Sequence, residues 1–559
     1  MAQPSVEVKI IGISAELLDN ALLYLSIEQQ KTHERLSEGR IQRLHNKATD
    51  EIRRSLEPYG YYQPQITASL KKIDNEHWLA SYQVVAGDPI LISETHIQLR
   101  GDALNDSKFL DWKKNFPLQP GIPVNHLAYE ESKNELVGLA AERGYFDARF
   151  EKSTIEVNLD THQAHVFIDF NSGVRHYISD VRFDNNALDA SLLSRYIPFA
   201  IGSAYQVGKL VELQQTLSDT DFFQSVEVNP APSEAQNGAI PINVLLSPRS
   251  HHIYTLGLGY GTDTGARGML GWEIPLLNRH GHRFAIHTKL SETGDSLTAQ
   301  YRIPVYNPRS DQLVFSAGLV NETTEDFSSQ IITASGILNH ARFGWRESVG
   351  LTYQEEEFTI ANDQGQSTLL MPGIGWSRVW ADKRINTRQG IHVHLKVRGT
   401  INNPLSSTQF VQTRGGGKLI QAISQQGRLI ARGEAGITRS ESFHDLPASV
   451  RFYAGGANSV RGYRYQALGP KNSQNENEGG QFLLVGSVEY EHKLQGKWGI
   501  AGFYDVGDAM NAWQQALKVG TGFGLRWSSP VGPVRIDLAT AVSEEGKPWR
   551  LHINIGPDL

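Results

Sequence analysis

From His252 onward the chain alternates apolar and polar residues with period two, segment after segment, and nothing else in it constrains the fold as strongly. "LTAQYRIPV" sets Leu297, Ala299, Tyr301, Ile303 and Val305 on one face against Thr298, Gln300 and Arg302 on the other. "IHVHLKV" does the same with Ile391, Val393, Leu395 and Val397 against His392, His394 and Lys396. Such alternation also suits a soluble sandwich. Number, length and turn pattern separate the two cases. About sixteen segments of roughly ten residues, joined alternately by short turns ("NRHGH", "NPRSD") and longer loops, predict tilted antiparallel strands with one face toward lipid and a wet interior. Closure into a barrel would satisfy every backbone group in lipid.

The first 250 or so residues follow a different rule. Helical segments run into "LEPYGYYQPQI", "AAERGYFDARF" and "LSDTDFFQSVEV". In each, the helix stops at a turn residue (Gly60, Gly144, Asp221), two aromatics follow and an alternating strand begins. The period of about 80 residues marks a repeated small α+β domain, ordered strand, helix, helix, strand, strand. The pairs Tyr61/Tyr62, Tyr145/Phe146 and Phe222/Phe223 are read as core plugs where helix meets sheet. Exposed sheet edges in such a unit can accept an extended strand from a partner. The reading divides the chain into repeats at 5–88, 89–173 and 174–248 and a barrel at 252–559, with a long inward-folded loop at about 441–480.

Composition narrows the function. Charged residues are 20% of the chain and the net charge is −7 with signs interspersed, so no basic field exists for a nucleic-acid backbone. Cysteine is absent, which removes disulfides, thiol catalysis and Cys-based metal sites. No run approaches the roughly 20 apolar residues of a membrane-spanning helix. "MAQPSVEVKI" carries neither a basic n-region nor an apolar h-region, so the reading is of a processed exported chain with Met1 added and no signal peptide. There is no Gly-x-Ser-x-Gly elbow, His-Glu-x-x-His helix or phosphate loop, and no catalytic or cofactor-binding residue is assigned. His392 and His394 share a strand face without an evident third ligand, so no metal is assigned.

The long loop carries "NSVRGYRYQ", and the strands around it suggest what the arginine meets. Alternation turns Ser487, Glu489 and Glu491 of "LLVGSVEYEH", and Phe503 and Asp505 of "GIAGFYDVGDA", into the lumen. In "VGTGFGLRW" the inner face is Gly520, Gly522, Gly524 and Arg526, a glycine slot where another backbone could lie close. A guanidinium holds carboxylates bidentately, so Arg461 is placed against Glu489 and Asp505. Gly462 provides the tight turn, and Val460 and Tyr463 pack against Phe503.

At this point the chain resembles the Omp85 superfamily. "SVRGY" is similar to its loop motif VRGF/Y, and "GSVEY" and "GFYDVGDA" to the strand motifs that receive that arginine. The repeats resemble its POTRA domains. Three of them fit its TamA branch, whereas BamA carries five and two-partner secretion transporters two. The resemblance implies an outer-membrane factor that assembles or secretes autotransporters and other β-barrel clients. It also implies an inner-membrane TamB-like partner reached through periplasmic POTRA domains. BamA-like or two-partner-secretion transport is the alternative, a passive porin the second.

The seam between first and last strands offers a route. "YTLGLGYGT" brings Leu256, Gly257, Leu258 and Gly259, and "LHINIGPDL" brings Ile553, Ile555, Gly556 and Pro557. Glycine weakens strands and proline cannot donate to a ladder, so a short, weak pairing is expected. Through it a client strand could meet an open edge; alternatively Gly-Pro only ends the chain.

Overall fold

A computed structural model describes residues 4–33, 36–74, 76–184, 187–383, 387–400, 403–529 and 532–555. The first domain runs β1 (Ser5–Ile11), α1 (Ala15–Tyr24), α2 (Ser26–Gln29), α3 (Glu38–Leu56), β2 (Gln65–Lys72) and β3 (His77–Val85). The second runs β4 (Leu91–Arg100), α4 (Ser107–Lys114), α5 (His126–Arg143), β5 (Arg149–Asn158) and β6 (Gln163–Asn171). The third runs β7 (Tyr177–Asp184), α6 (Ala190–Ser194), α7 (Val207–Ser218), β8 (Phe223–Pro230) and β9 (Ala239–Pro248). Each sheet has the same order, with the last strand central between the other two.

The repeat is written into the long helices. α3 buries Ile41, Leu44, Ala48 and Ile52, and α5 buries Tyr129, Ser132, Leu136 and Ala140, both at the i, i+3, i+7, i+11 spacing of one helical stripe. In α7, Leu210, Leu213 and Leu217 do the same. Left-handed residues close the segments, with φ of 88° at Gly60, 84° at Gly144 and 59° at Asp221. A Cβ on Gly144 would also strike the Tyr205 side chain. The run "ALDASLLSRYIPF" is helical only over Ala190–Ser194, because Pro198 pushes Ile197 away from the helical region.

The aromatic pairs do more than plug their own cores. In the first two copies the second ring reaches the next domain. The Tyr62 hydroxyl lies 2.8 Å from His126 Nε2, and Phe146 packs edge-on to His176 and Tyr205 at 5.3 and 5.0 Å between centroids. Burial of Tyr62, helped by the charge of Glu57, pushes its hydroxyl up to about 12. The core-plug reading therefore needs correcting: alternation sends neighbouring rings to opposite sides, so one enters its own core and the other leaves it.

Two compact units make up the chain: Met1–Asp184 with Pro198–Gln214 and Glu227–Leu245, and Asn185–Ile197 with Gln215–Val226 and Leu246–Leu559. The second unit thus joins α6 and the end of α7 to the barrel. There Asp189 meets the short turn at Arg279 and His280, with its carboxylate 2.7 Å from His280 Nδ1. The Arg283 guanidinium stacks on Phe222 at 4.5 Å.

The barrel sheet contains sixteen strands in sequence order, from Ile253–Gly261 to Trp549–Ile555, each antiparallel to its neighbour. Strand lengths depart from the uniform ten residues expected, running from 7 in the last strand to 19 in Asp363–Ala381. The longest exceed what a tilted strand needs to cross a bilayer, about 9–11 residues. Large apolar side chains point outward, among them Leu258, Tyr504 and Phe523, while carboxylates turn inward.

Asp106 anchors the second domain. It is buried, caps α4 by accepting from Lys108 N at 3.1 Å, and accepts from Arg143 Nε at 2.8 Å and the Tyr145 hydroxyl at 2.9 Å. Burial alone would raise this carboxyl, but the Arg143 and Tyr145 bonds hold it below its ordinary value. Its contribution is present above the unfolded value of about 4 and lost as pH falls through the lower folded value. Asp106→Ala should destabilise this domain by roughly 2–3 kcal/mol, read as faster amide exchange in α4 and α5 of the full chain. Unchanged exchange would show that the cluster carries no stability.

Candidate functional site: an arginine-pinned loop in the lumen

The loop between the eleventh strand (Gly427–Ser440) and the twelfth (Phe482–Lys493) is folded rather than slack. Buried Arg451 ties its own backbone together, donating to the carbonyls of Leu446, His444 and Glu478 at 2.8–2.9 Å. Isolated bridges join Phe452 to Gly480 and Ala454 to Leu468. Val460 and Tyr463 join Phe452, Ala454, Leu468, Leu483 and Val485 in one apolar cluster. On the opposite wall, Glu356 accepts from Ser449 N at 3.1 Å, and Gln354 donates to the Ser449 hydroxyl at 2.7 Å.

The register of the wall opposite the tip sets what Arg461 meets. Ser487 pairs with Asp505, Asp505 with Gly520, Phe503 with Gly522, and Asp537 with His552, across the twelfth to sixteenth strands. Arg461 is 3% exposed, and all of its side-chain nitrogens are engaged. Nε and Nη2 donate to the two oxygens of Asp505 at 2.7 and 2.9 Å. Nη1 donates to Glu489 at 2.6 Å and Asp537 at 3.1 Å, and Nη2 also reaches the Ser487 hydroxyl at 3.3 Å. The guanidinium carbon lies 3.4 Å from the Phe503 ring centroid. Its five N–H groups thus have five acceptors, with an aromatic face beneath.

A second guanidinium locks the carboxylates in turn. Arg526 donates to Glu489 at 2.7 Å, Glu491 at 2.9 Å and Asp537 at 2.5 Å. Arg428 holds Glu491 at 2.5 Å. Burying several like charges together is tolerable only because cations alternate with them.

One sequence expectation is corrected here, and a second is narrowed to one glycine. Val460 and Tyr463 do not pack on Phe503; that ring is covered by Arg461 itself, because a cation gains more from its face than an alkyl group does. The glycine slot also has three different occupants. A Cβ on Gly520 would lie 1.9 Å from the Arg461 carbonyl, so the loop backbone rests there. Gly522 instead makes room for Phe503 and the Leu538 carbonyl, and Gly524 for Asp537. Gly462 has a φ of 96°, and its Cβ would strike the Thr540–Ala541 backbone.

The sequence reading places Ser487 in the lumen but does not name Asp537, Asp263 or His552. Alternation in "VRIDLAT" places Arg535, Asp537 and Ala539 on one face, a signal equal to that of Glu489. Alternation in "WRLHINI" likewise turns His552 and Asn554 to the face opposite Leu551 and Ile553, whereas no local pattern marks Asp263, which matters through where the loop lands.

That landing is the seam. Among the described residues no ladder joins the first strand to the last. Ile553 N donates to the Thr262 hydroxyl at 3.2 Å, and Arg267 Nη2 reaches the Ile555 carbonyl at 3.5 Å. Ile553 therefore lies beside Gly261 and Thr262, well past Leu256. Gly257, Leu258 and Gly259 pair only with the second strand, and Gly556 and Pro557 lie outside the described residues. The loop spans the gap: Ala457 N donates to Asp263 at 2.7 Å, Gly462 N to His552 Nε2 at 3.0 Å, and Asn554 to Asn458 at 2.9 Å.

Three POTRA-type α+β units before a sixteen-stranded membrane barrel, with an arginine loop pinned in its lumen, define a class of envelope β-barrel protein. Comparison with known proteins gives the family. The Omp85 superfamily domain matches residues 267–558, so the chain belongs to the Omp85 superfamily. The model for POTRA domain TamA domain 1 matches residues 7–86, and the POTRA model (surface antigen variable number repeat) matches 95–173. The outer membrane protein assembly factor BamA of Nitratidesulfovibrio vulgaris is 21% identical over 74% of this chain and 54% of its own length. BamA of Neisseria meningitidis serogroup B is 20% identical over 67% and 50%. The chain spans about half the length of the curated relatives it matches. The crystal structure of Haemophilus ducreyi BamA lacking POTRA domains 1–3 shares the fold with a TM-score of 0.71 at 16% identity, covering 83% of this chain and 99% of that one.

Removing one member of a buried ionic network costs roughly 3–5 kcal/mol. Arg461→Ala should therefore raise tryptic cleavage after Arg464 or Lys471 at least about tenfold through loop opening, with Arg461→Lys intermediate because lysine supplies only a point charge. Equal cleavage rates in all three proteins would contradict the lock.

Proposed function

We propose that the protein is an outer-membrane assembly and translocation factor that admits client β-strands at the seam between its first and last barrel strands. The carrying observation is a seam bridged by isolated hydrogen bonds and a loop tip, where every other pair of neighbouring strands has a continuous ladder. Each strand beside an open seam has unpaired backbone groups, which template an incoming strand by β-augmentation. The family supports this reading, since its matched relatives carry the name outer membrane protein assembly factor. In this reading the POTRA domains lie in the periplasm.

Arg461 acts here as a structural lock. The network holds the tip at the seam through Asp263, Asn554 and His552, and client entry on the first-strand side must displace Ala457 and Thr262. The match of the first domain to a TamA-type POTRA model favours a TamB-like inner-membrane partner and autotransporters among the clients. A passive porin is disfavoured by a loop tethered to both walls of the lumen. Single-channel recordings should accordingly show small or flickering currents.

The seam itself can be closed. Cysteines at Gly261 and Ile553, joined by a short thiol cross-linker, should abolish client insertion into vesicles, and cleavage of the linker should restore it. Full insertion with the seam locked would refute the gate.

A further inference from the structure

The solvent face of the second POTRA domain carries a set of metal donors unrelated to the barrel. β4 and β6 run parallel with Glu94 beside His165, and a register shift between Ile92 and Glu94 turns Glu94 and His96 out on the same face. Glu94 Oε2 lies 2.9 Å from His96 Nε2 and 3.8 Å from His165 Nδ1, and the three donor atoms are all within 4.8 Å of one another. Three atoms so spaced lie on a circle of radius at most about 2.4 Å, against zinc–ligand distances of about 2.0–2.2 Å. A shift of a few tenths of an ångström in these exposed side chains would bring all three to bonding distance.

Two further features favour an ion. The His96 ring is held by stacking on Phe167 at 5.0 Å and 11°, and the Lys152 ammonium lies over that same Phe167 ring, 3.6 Å from its centroid. His96 is thus oriented before any ion arrives. Glu156 pairs with His165 from the other neighbouring strand and accepts from Lys152 Nζ at 2.8 Å, so the charge of that ammonium is balanced beside the site. We infer that Glu94, His96 and His165 form a surface site for Zn2+ or a similar borderline divalent ion. Imidazole and carboxylate donors suit such ions, and the site's three ligands are two nitrogens and one oxygen. All three rise from one sheet face, so the remaining coordination position opens to solvent, where a histidine or carboxylate of an approaching segment could bind.

The test is metal titration of the full chain in detergent, without a histidine tag. Co2+ serves as the spectroscopic probe, and Zn2+ is followed by calorimetry. One equivalent should bind with micromolar affinity, and Zn2+ should displace Co2+. His96→Ala and His165→Ala should each weaken binding at least tenfold, and Glu94→Gln should do so to a smaller extent. The chain has 19 histidines, so His392→Asn/His394→Asn is the control and should bind unchanged. Near-native circular dichroism of the variants excludes misfolding. Absence of stoichiometric binding, or binding unaffected by His96→Ala and His165→Ala, would overturn the site.

Discussion

The buried guanidinium of Arg461 is the contact on which the rest of the barrel's interior depends. It joins Glu489, Asp505 and Asp537 on three strands to a loop that those strands do not otherwise hold by a ladder. A lone charge at this depth would be strongly unfavourable, and so would the carboxylates without it. The network is therefore stable as a set: Arg461 and Arg526 share Glu489 and Asp537, and losing either leaves the two buried acids with one guanidinium between them. What the set fixes is position. With the tip anchored, Gly462 and Ala457 come to rest against the last strand and the first hairpin, where the barrel's own pairing is sparse.

Much of this was legible in the sequence, and the physical reason is periodicity. A strand with one face in lipid must alternate, so the inward residues of "GSVEYEH" and "GFYDVGDA" can be counted off without coordinates. The same count could have found Asp537 in "VRIDLAT". The repeats were legible for a similar reason, since a buried stripe at i, i+3, i+7 and a left-handed stop recur in each copy. Alternation fails where the chain leaves the sheet. It could not place Val460 and Tyr463, whose neighbours come from the loop's own fold, nor reveal that Phe503 supports Arg461. It also gave no register for the seam, because register is set by the ladder and here the ladder is missing.

Neighbouring rings with opposite orientations link the modules of the first compact unit. Tyr62 and Phe146 each leave their own domain to meet the next, through His126 and through His176 with Tyr205. Each joint also carries a backbone hydrogen bond to the left-handed glycine, from Ile90 N to the Gly60 carbonyl at 2.9 Å and from His176 N to the Gly144 carbonyl at 3.0 Å.

The central claim is that Arg461 and Asp505 hold the loop as a coupled pair. A double-mutant cycle of Arg461→Ala and Asp505→Asn, read as the opening free energy of loop amides by hydrogen exchange in lipid nanodiscs, tests it most directly. A coupling of roughly 2–3 kcal/mol is expected. Additive effects, within about 0.5 kcal/mol, would contradict it.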